Sequence, residues 1–366
     1  GFVSRGLGDV YKRQILTTTI GSFPKPDYLP IMDWFDSARG EDGMNTVKTT
    51  IEYTKYHNKK NESDELLFKR AANEVINIQI DAGIDVPTDG EIRRENYIHY
   101  HCRYLDGFDF NNLEHRVLRD GAYETSLPAI RKKISHSGKF YSSNDFISAQ
   151  SFSKNPIKFT IPGPLTIMDT TADCFYDDRK KLNYDLADTV NKEILNLVDK
   201  GCKYIQIDEP LFARQVEDAL SFGIEGVERC LHKVPKDVNK IIHICCGYTD
   251  HLDDENYKKA DPESYFSLSG ELNSMGIDQI SIEDAHFRND LRLLEKFPDK
   301  KIIFGAINVT KSRLETIDEI RERISEVLNF IERDRLIISP DCGMGLFSLD
   351  LAKKKLKVMC DAVKSI

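Results

Sequence analysis

Three short stretches hold side chains that could bind a metal: "HICC" at 243–246, "SIED" at 281–284 and "PDCG" at 340–343. They supply His243, Cys245, Glu283 and Cys342, a four-ligand set for zinc. Taken singly, a strand cysteine is usually core filler and a strand glutamate a satisfied polar group. The conjunction is what points to metal. Two thiolates and a carboxylate make a softer, more electron-rich site than the three-histidine sites that generate hydroxide, so it suits holding a thiolate substrate over activating water. Zinc lowers the pKa of a bound thiol, which leaves a nucleophilic sulfur at neutral pH. The reaction class is S-alkylation. A further stretch, "HYHC" at 99–102, offers a second metal cluster or an acid, against the commoner case of histidines stacked at a rim.

These residues need elements that bring them together. Short β-prone runs recur along the chain: "ILTTTIGSF" (15–23), "KFTIPGP" (158–164), "KYIQIDEP" (203–210), "KIIHICCG" (240–247), "QISIEDA" (279–285), "KIIFGAIN" (301–308) and "RLIISPDCG" (335–343). Amphipathic segments lie between them. Residues 186–201 end on a glycine just before a strand, and 312–331 carry an apolar stripe through Ile317, Ile320, Ile324, Val327 and Ile331. Regular alternation of strand and helix predicts a parallel sheet with crossover helices. About eight such units, with no glycine-rich dinucleotide loop after the first strand, predict an α/β fold of the (β/α)8 TIM-barrel class. In that architecture strand ends converge on one site, and the ends here present Asp208, Glu209, His243, Cys245, Glu283, Asp341 and Cys342. Alternation puts His243 and Cys245 on one face of their strand and Ile242 and Ile244 on the other, with Cys246 turned away.

The polar, poorly periodic stretch at about residues 100–150 is too long for an ordinary loop and reads as an excursion beside the barrel mouth that could hold a hairpin. Residues 1–14, "GFVSRGLGDVYKRQ", have no strand or helix period and read as a non-native or disordered tail, leaving 15–366 as a single catalytic barrel. The chain has 366 residues, 40% hydrophobic, with a formal net charge of -9 and no dense basic block, which argues against a nucleic-acid partner. No apolar run approaches the roughly 18 residues of a membrane span, and no signal peptide is evident. A cytoplasmic location is expected. In a reducing compartment the eight cysteines do not form a disulfide framework, and Cys174, Cys202, Cys230 and Cys360 are assigned to core or surface.

The stretches "TTTIGSFPKP" (17–26), "IDVPTDGEIRREN" (84–96), "LDGFDF" (105–110), "IPGPLTI" (161–167), "IQIDEP" (205–210), "HICCGY" (243–248), "ISIED" (280–284) and "SPDCGMG" (339–345) resemble, in order, the catalytic C-terminal barrel of the cobalamin-independent methionine synthase family. Full-length members carry a second, N-terminal barrel, so this chain looks like the single-barrel form. The resemblance implies a transferase of the 5-methyltetrahydropteroyltriglutamate-homocysteine S-methyltransferase type, in which Zn2+ activates homocysteine for methionine biosynthesis. The family's zinc ligands fall on His243, Cys245, Glu283 and Cys342, and its homocysteine positions on Ile20, Gly21, Ser22, Glu91 and Asp208. Two carboxylates can hold an α-ammonium group, and the "IGS" turn can bind the α-carboxylate.

The departures fall on the other substrate. Thr170 stands where the family has a tryptophan, Gln215 where it has a folate-contacting glutamate, and Glu124 and Thr125 where it has an Arg-Cys pair. Thr310 occupies the position of the family's proton-donating histidine, and a threonine cannot serve as an acid near neutral pH. The methyl donor is therefore left between methyltetrahydrofolate, whose leaving nitrogen needs a proton, and a methyl-corrinoid carried on a partner protein. Two other functions remain in view. One is zinc-dependent alkyl or epoxide transfer to another thiol such as coenzyme M, against which Glu91 and Asp208 speak because such a thiol has no ammonium group. The other is a non-catalytic zinc- or homocysteine-binding protein.

Overall fold

The computed structural model describes residues 14–35, 46–118, 123–257 and 259–366, so the tail read at 1–14 lies, apart from Gln14, outside the described residues. The strands are β1 (Leu16–Thr17), β2 (Leu105–Leu118), β3 (Tyr123–His136), β4 (Lys158–Pro162), β5 (Ala172–Asp173), β6 (Tyr204–Asp208), β7 (Asn239–Ile244), β8 (Gln279–Ile282), β9 (Lys301–Ile307) and β10 (Leu336–Pro340). Seven of them form one parallel sheet in the order β1-β10-β9-β8-β7-β6-β4. They match the seven β-prone runs of the sequence, with β7 starting one residue earlier, at Asn239.

The sheet closes through residues 86–88. Thr18 bridges Val86 and Thr88 bridges Lys158, both in parallel sense. The Val86 N–H donates to the Thr17 carbonyl (3.1 Å) and the Lys158 N–H to the Pro87 carbonyl (2.9 Å). This segment is the eighth staff of a (β/α)8 barrel. It escapes a β-pattern reading because its ladder is reduced to isolated bridges. Pro87 has no N–H to give, and the Thr88 N–H turns to the Gln79 side chain (3.0 Å).

Helices pack on the outer face of the sheet. Phe159, Ile161, Ile205, Ile207, Ile242 and Ile244 join them in the main core, while Ile20, Ile241, Ile303 and Ile337 form a separate small cluster that is the barrel interior. Helix Ile317–Val327 buries Ile320, Ile324 and Val327. Ile317 is its first residue and stays 38% exposed, and Ile331 is buried beyond its end. Helix Glu62–Ala82 opens on a capping box between Asn61 and Asp64 and closes on Gly83 at φ 110°. An added Cβ at Gly83 would meet Cys360 Cβ at 3.2 Å and Lys364 Nζ at 3.0 Å. Gly83→Ala is therefore expected to cost about 1–2 kcal/mol of stability, seen as a lower thermal midpoint. An unchanged midpoint would show that this turn relaxes.

The excursion is narrower than the sequence suggested. Residues 97–102 and 142–150 are helical, and the insertion proper is the antiparallel hairpin β2–β3, joined by β5 in a three-stranded sheet. Among the described residues no helix is long and apolar enough to cross a membrane.

Candidate active site

His243 lies near the end of β7, and its Nδ1 is hydrogen-bonded to Ser281 Oγ (2.8 Å), its cross-strand neighbour on β8. That bond orients the ring and leaves Nε2 buried, with no hydrogen-bond partner among the described residues. Cys245 follows two residues on and Cys342 arrives from the turn after β10. Ligand atoms of His243, Cys245 and Cys342 all lie within 4.8 Å of one another. The two sulfurs are 3.8 Å apart, a hydrogen-bonding separation too long for a disulfide. The hydrogen bond from Cys342 and the nearby His243 hold the Cys245 thiol well below its usual value, against the effect of burial. Burial pulls His243 down, but Cys245 and Asp208 raise it on balance. Two cysteine sulfurs and an oriented imidazole form a soft donor set with the atoms a zinc ion prefers.

Glu283, the fourth expected ligand, stands apart from that cluster. Its carboxylate accepts from Lys259 Nζ at 2.8 Å, and both side chains are buried. Burial pushes Glu283 up to about 7, with Lys259 opposing. Asp341 sits beside it as a brace. Its carboxylate accepts the backbone N–H groups of Asp284 and Ala285 (both 2.9 Å) and His286 (2.7 Å), which pins the turn that carries Glu283. Glu209 is also structural. It accepts from the N–H groups of Leu165 (2.9 Å) and Thr166 (3.0 Å) at the start of helix Pro164–Asp169. Burial pushes its carboxyl up to about 8.

The turn at Ile20, Gly21 and Ser22 links the two sides of the site. The Ser22 carbonyl accepts from the Met344 N–H (2.7 Å), two residues past Cys342. The Ile20 carbonyl accepts from Gln206 Nε2 (2.9 Å), and the same amide donates to Asp208 (2.7 Å). Glu91 adopts a left-handed backbone, φ 56°, and accepts from Thr160 Oγ1 (2.7 Å). Its charge faces the buried Arg94 guanidinium at 3.6 Å. An added Cβ at Gly21 would lie 2.6 Å from Glu91 Oε1, so any larger residue there would have to displace the Glu91 carboxylate. Burial raises both acids, Asp208 to about 7.

On the remaining side Thr310 is buried and donates to Asn308 Oδ1 (2.8 Å), with His286 Nδ1 3.0 Å from its hydroxyl. Burial, then Lys259, holds His286 down to about 4. The histidines of "HYHC" belong to the packing. His99 meets the Thr170 carbonyl (2.9 Å) and His101 the Tyr141 hydroxyl (2.9 Å). Burial lowers them to about 4 and about 3, so neither stores a proton near neutral pH. Gln215 donates to Asp169 (2.7 Å), while Glu124 is exposed and Thr125 buried in the hairpin. Cys202, Cys230 and Cys360 are buried, and Cys174 is exposed. A cavity of 370 Å³ lined by Tyr53, Tyr56, Phe68, Arg93, Tyr100 and Tyr104 contains none of the expected ligands.

Ser281, Lys259, Arg94 and Gln206 were not singled out from sequence. Alternation back from Glu283 and Asp208 would have put Ser281 and Gln206 on the inward faces. Lys259, in the loop after β7, carried no such signal.

The fold and this cluster define a (β/α)8-barrel protein with a sulfur-rich candidate metal centre at its strand ends. The family model described as "Cobalamin-independent synthase, Catalytic domain" matches residues 15–365, and the chain belongs to that family. It is 32% identical over 352 residues to a methionine synthase of Saccharolobus islandicus (strain Y.G.57.14 / Yellowstone #1), covering 96% of this chain and 94% of that one. It is 29% identical to the methionine synthase of Sulfolobus acidocaldarius, covering 93% and 88%. Among solved structures it is similar to a B12-independent methionine synthase from Shewanella sp. W3-18-1 in complex with selenomethionine. That match has a TM-score of 0.82 and 26% identity, and covers 96% of this chain and 97% of the other. A putative vitamin-B12 independent methionine synthase from Listeria monocytogenes, at 20% identity and a TM-score of 0.66, shares the fold.

Proposed function

We propose that this chain, with residues 15–366 acting as one catalytic barrel, is a zinc-dependent methyltransferase that converts homocysteine to methionine. The observation that carries the reading is the convergence of the unpartnered His243 Nε2 with the sulfurs of Cys245 and Cys342. A bound zinc ion would supply a Lewis acid that keeps a substrate thiol in its thiolate form at neutral pH. His243, Cys245 and Cys342 would hold it, with Glu283 as the fourth ligand once released from Lys259. Asp208 and Glu91 bind the ammonium group of homocysteine, and the turn at 20–22 receives its carboxylate. Holding both ends leaves the sulfur with one direction of attack, so the methyl group is displaced in line.

The family's cobalamin independence weighs against a methyl-corrinoid donor. The favoured donor is a methyltetrahydrofolate whose leaving nitrogen takes its proton from a group other than Thr310. The reading is tested by assaying methionine formation with methyltetrahydrofolate, methylcobalamin and S-methylmethionine side by side, with zinc measured on the same protein. About one zinc per chain and a dominant methyltetrahydrofolate rate are expected. Methionine from none of the donors would leave a binding protein. Homocysteine binding to the zinc-loaded protein should also release about one proton, because the thiol binds as thiolate. Calorimetry in buffers of different ionisation enthalpy measures this, and zero net release would remove the thiolate step.

A further inference from the structure

Two buried polar groups inside the barrel have no hydrogen-bond partner among the described residues: Lys158 Nζ on β4 and Gln206 Oε1 on β6. The side chains are 1% and 0% exposed. Their strands are adjacent, with Lys158 in register with Tyr204 and Thr160 with Gln206, so the two side chains are diagonal neighbours on the inward face. A buried lysine without a partner is costly. An orphaned amide oxygen costs a further desolvation penalty.

The other end of Gln206 shows what such an arrangement could hold in place. Its Nε2 donates to the Asp208 carboxylate at 2.7 Å and to the Ile20 carbonyl at 2.9 Å. One amide group thereby ties the acid expected to hold the substrate ammonium to the turn expected to hold its carboxylate. This works in only one orientation of the amide, because the flipped group would set an oxygen against the Asp208 carboxylate and the Ile20 carbonyl. An N–H donor facing Oε1 selects the working orientation. Lys158 offers that donor from the neighbouring strand, as an ammonium or as an amine; burial pulls it down to about 7, with Asp208 opposing.

We propose that Lys158 and Gln206 form one positioning unit beneath the amino-acid end of the site. Lys158 donates to Gln206 Oε1, directly or through one buried water, and so fixes the amide that aligns Asp208 with the 20–22 turn. The inference rests on the homocysteine reading above and names two residues that touch neither the metal nor the transferred methyl group.

The test uses the zinc-loaded full chain and two thiols, L-homocysteine and propane-1-thiol, which shares the sulfur but has neither ammonium nor carboxylate. In Gln206→Met homocysteine affinity should fall by about tenfold or more, with propane-1-thiol affinity and zinc content unchanged. Lys158→Met exchanges a buried amine, whose charged form burial disfavours, for an apolar side chain of similar length, so it should fold with an equal or higher thermal midpoint. It should still weaken homocysteine severalfold and leave propane-1-thiol alone. Unchanged homocysteine affinity in both variants, or equal losses for the two thiols, would overturn the proposal. If the unsubstituted protein binds the two thiols equally, the homocysteine reading itself is what fails.

Discussion

The Cys342→Ser variant is expected to lose its metal and with it the formation of methionine. Cys342 comes from the turn after β10, while His243 comes from the end of β7 and Cys245 from the residue just past it, so Cys342 is the ligand that joins the two sides of the cluster. A serine hydroxyl is a poor zinc donor beside a thiolate. Zinc in a four-ligand thiolate-containing site is held by about 10–16 kcal/mol. Shared over four ligands, the loss of one costs about 2.5–4 kcal/mol, or about 10²- to 10³-fold in affinity. The side chain is only partly buried and the strand ladders do not depend on it, so the fold should survive. The measurement is zinc content after dialysis against a weak chelator, together with the circular dichroism spectrum. Full zinc retention in a folded variant would show that the cluster is not the metal centre.

Asp208→Asn is expected to raise the KM for homocysteine by about 10²-fold while leaving zinc content and the barrel intact. The substitution keeps the shape of the side chain and an oxygen for Gln206 Nε2, but removes the negative charge that would face the substrate ammonium. The carboxyl is buried and pushed up to about 7, chiefly by desolvation, with the Glu91 charge adding to the rise and His243 and Lys158 opposing it. The sign follows directly. Below about pH 7 the group takes a proton and loses the charge it needs, so homocysteine affinity should fall as pH drops. In Asp208→Asn that acid limb should flatten. A KM that stays at the unsubstituted value would remove Asp208 from the ammonium site.

Much of the site was legible because strand chemistry is local. Period-two alternation separates His243 and Cys245 from Ile242 and Ile244 whatever the rest of the chain does, and both isoleucines do pack outward into the main core. The strand-end rule of parallel barrels then collects Asp208, Glu283 and Cys342 without further information. What escaped is equally specific. The eighth strand position at 86–88 has too few ladder bonds to show a β pattern, and the excursion held more regular helix than its polarity suggested.

By itself the sequence determined the alternation of strands and helices, the parallel barrel it implies, and the residue types gathered at the strand ends. These depend on side-chain periodicity and turn chemistry within about twenty residues of chain. Only the tertiary structure decided which of those residues are partnered and by what. It set Glu283 against Lys259, made braces of Asp341 and Glu209, stacked the "HYHC" histidines into the packing, and left His243 Nε2 beside two sulfurs with no hydrogen-bond partner among the described residues. The physical reason is that partner choice is made between groups from distant parts of the chain. Hydrogen bonds and buried charges act over a few ångströms in space, and the separation along the sequence carries no record of them.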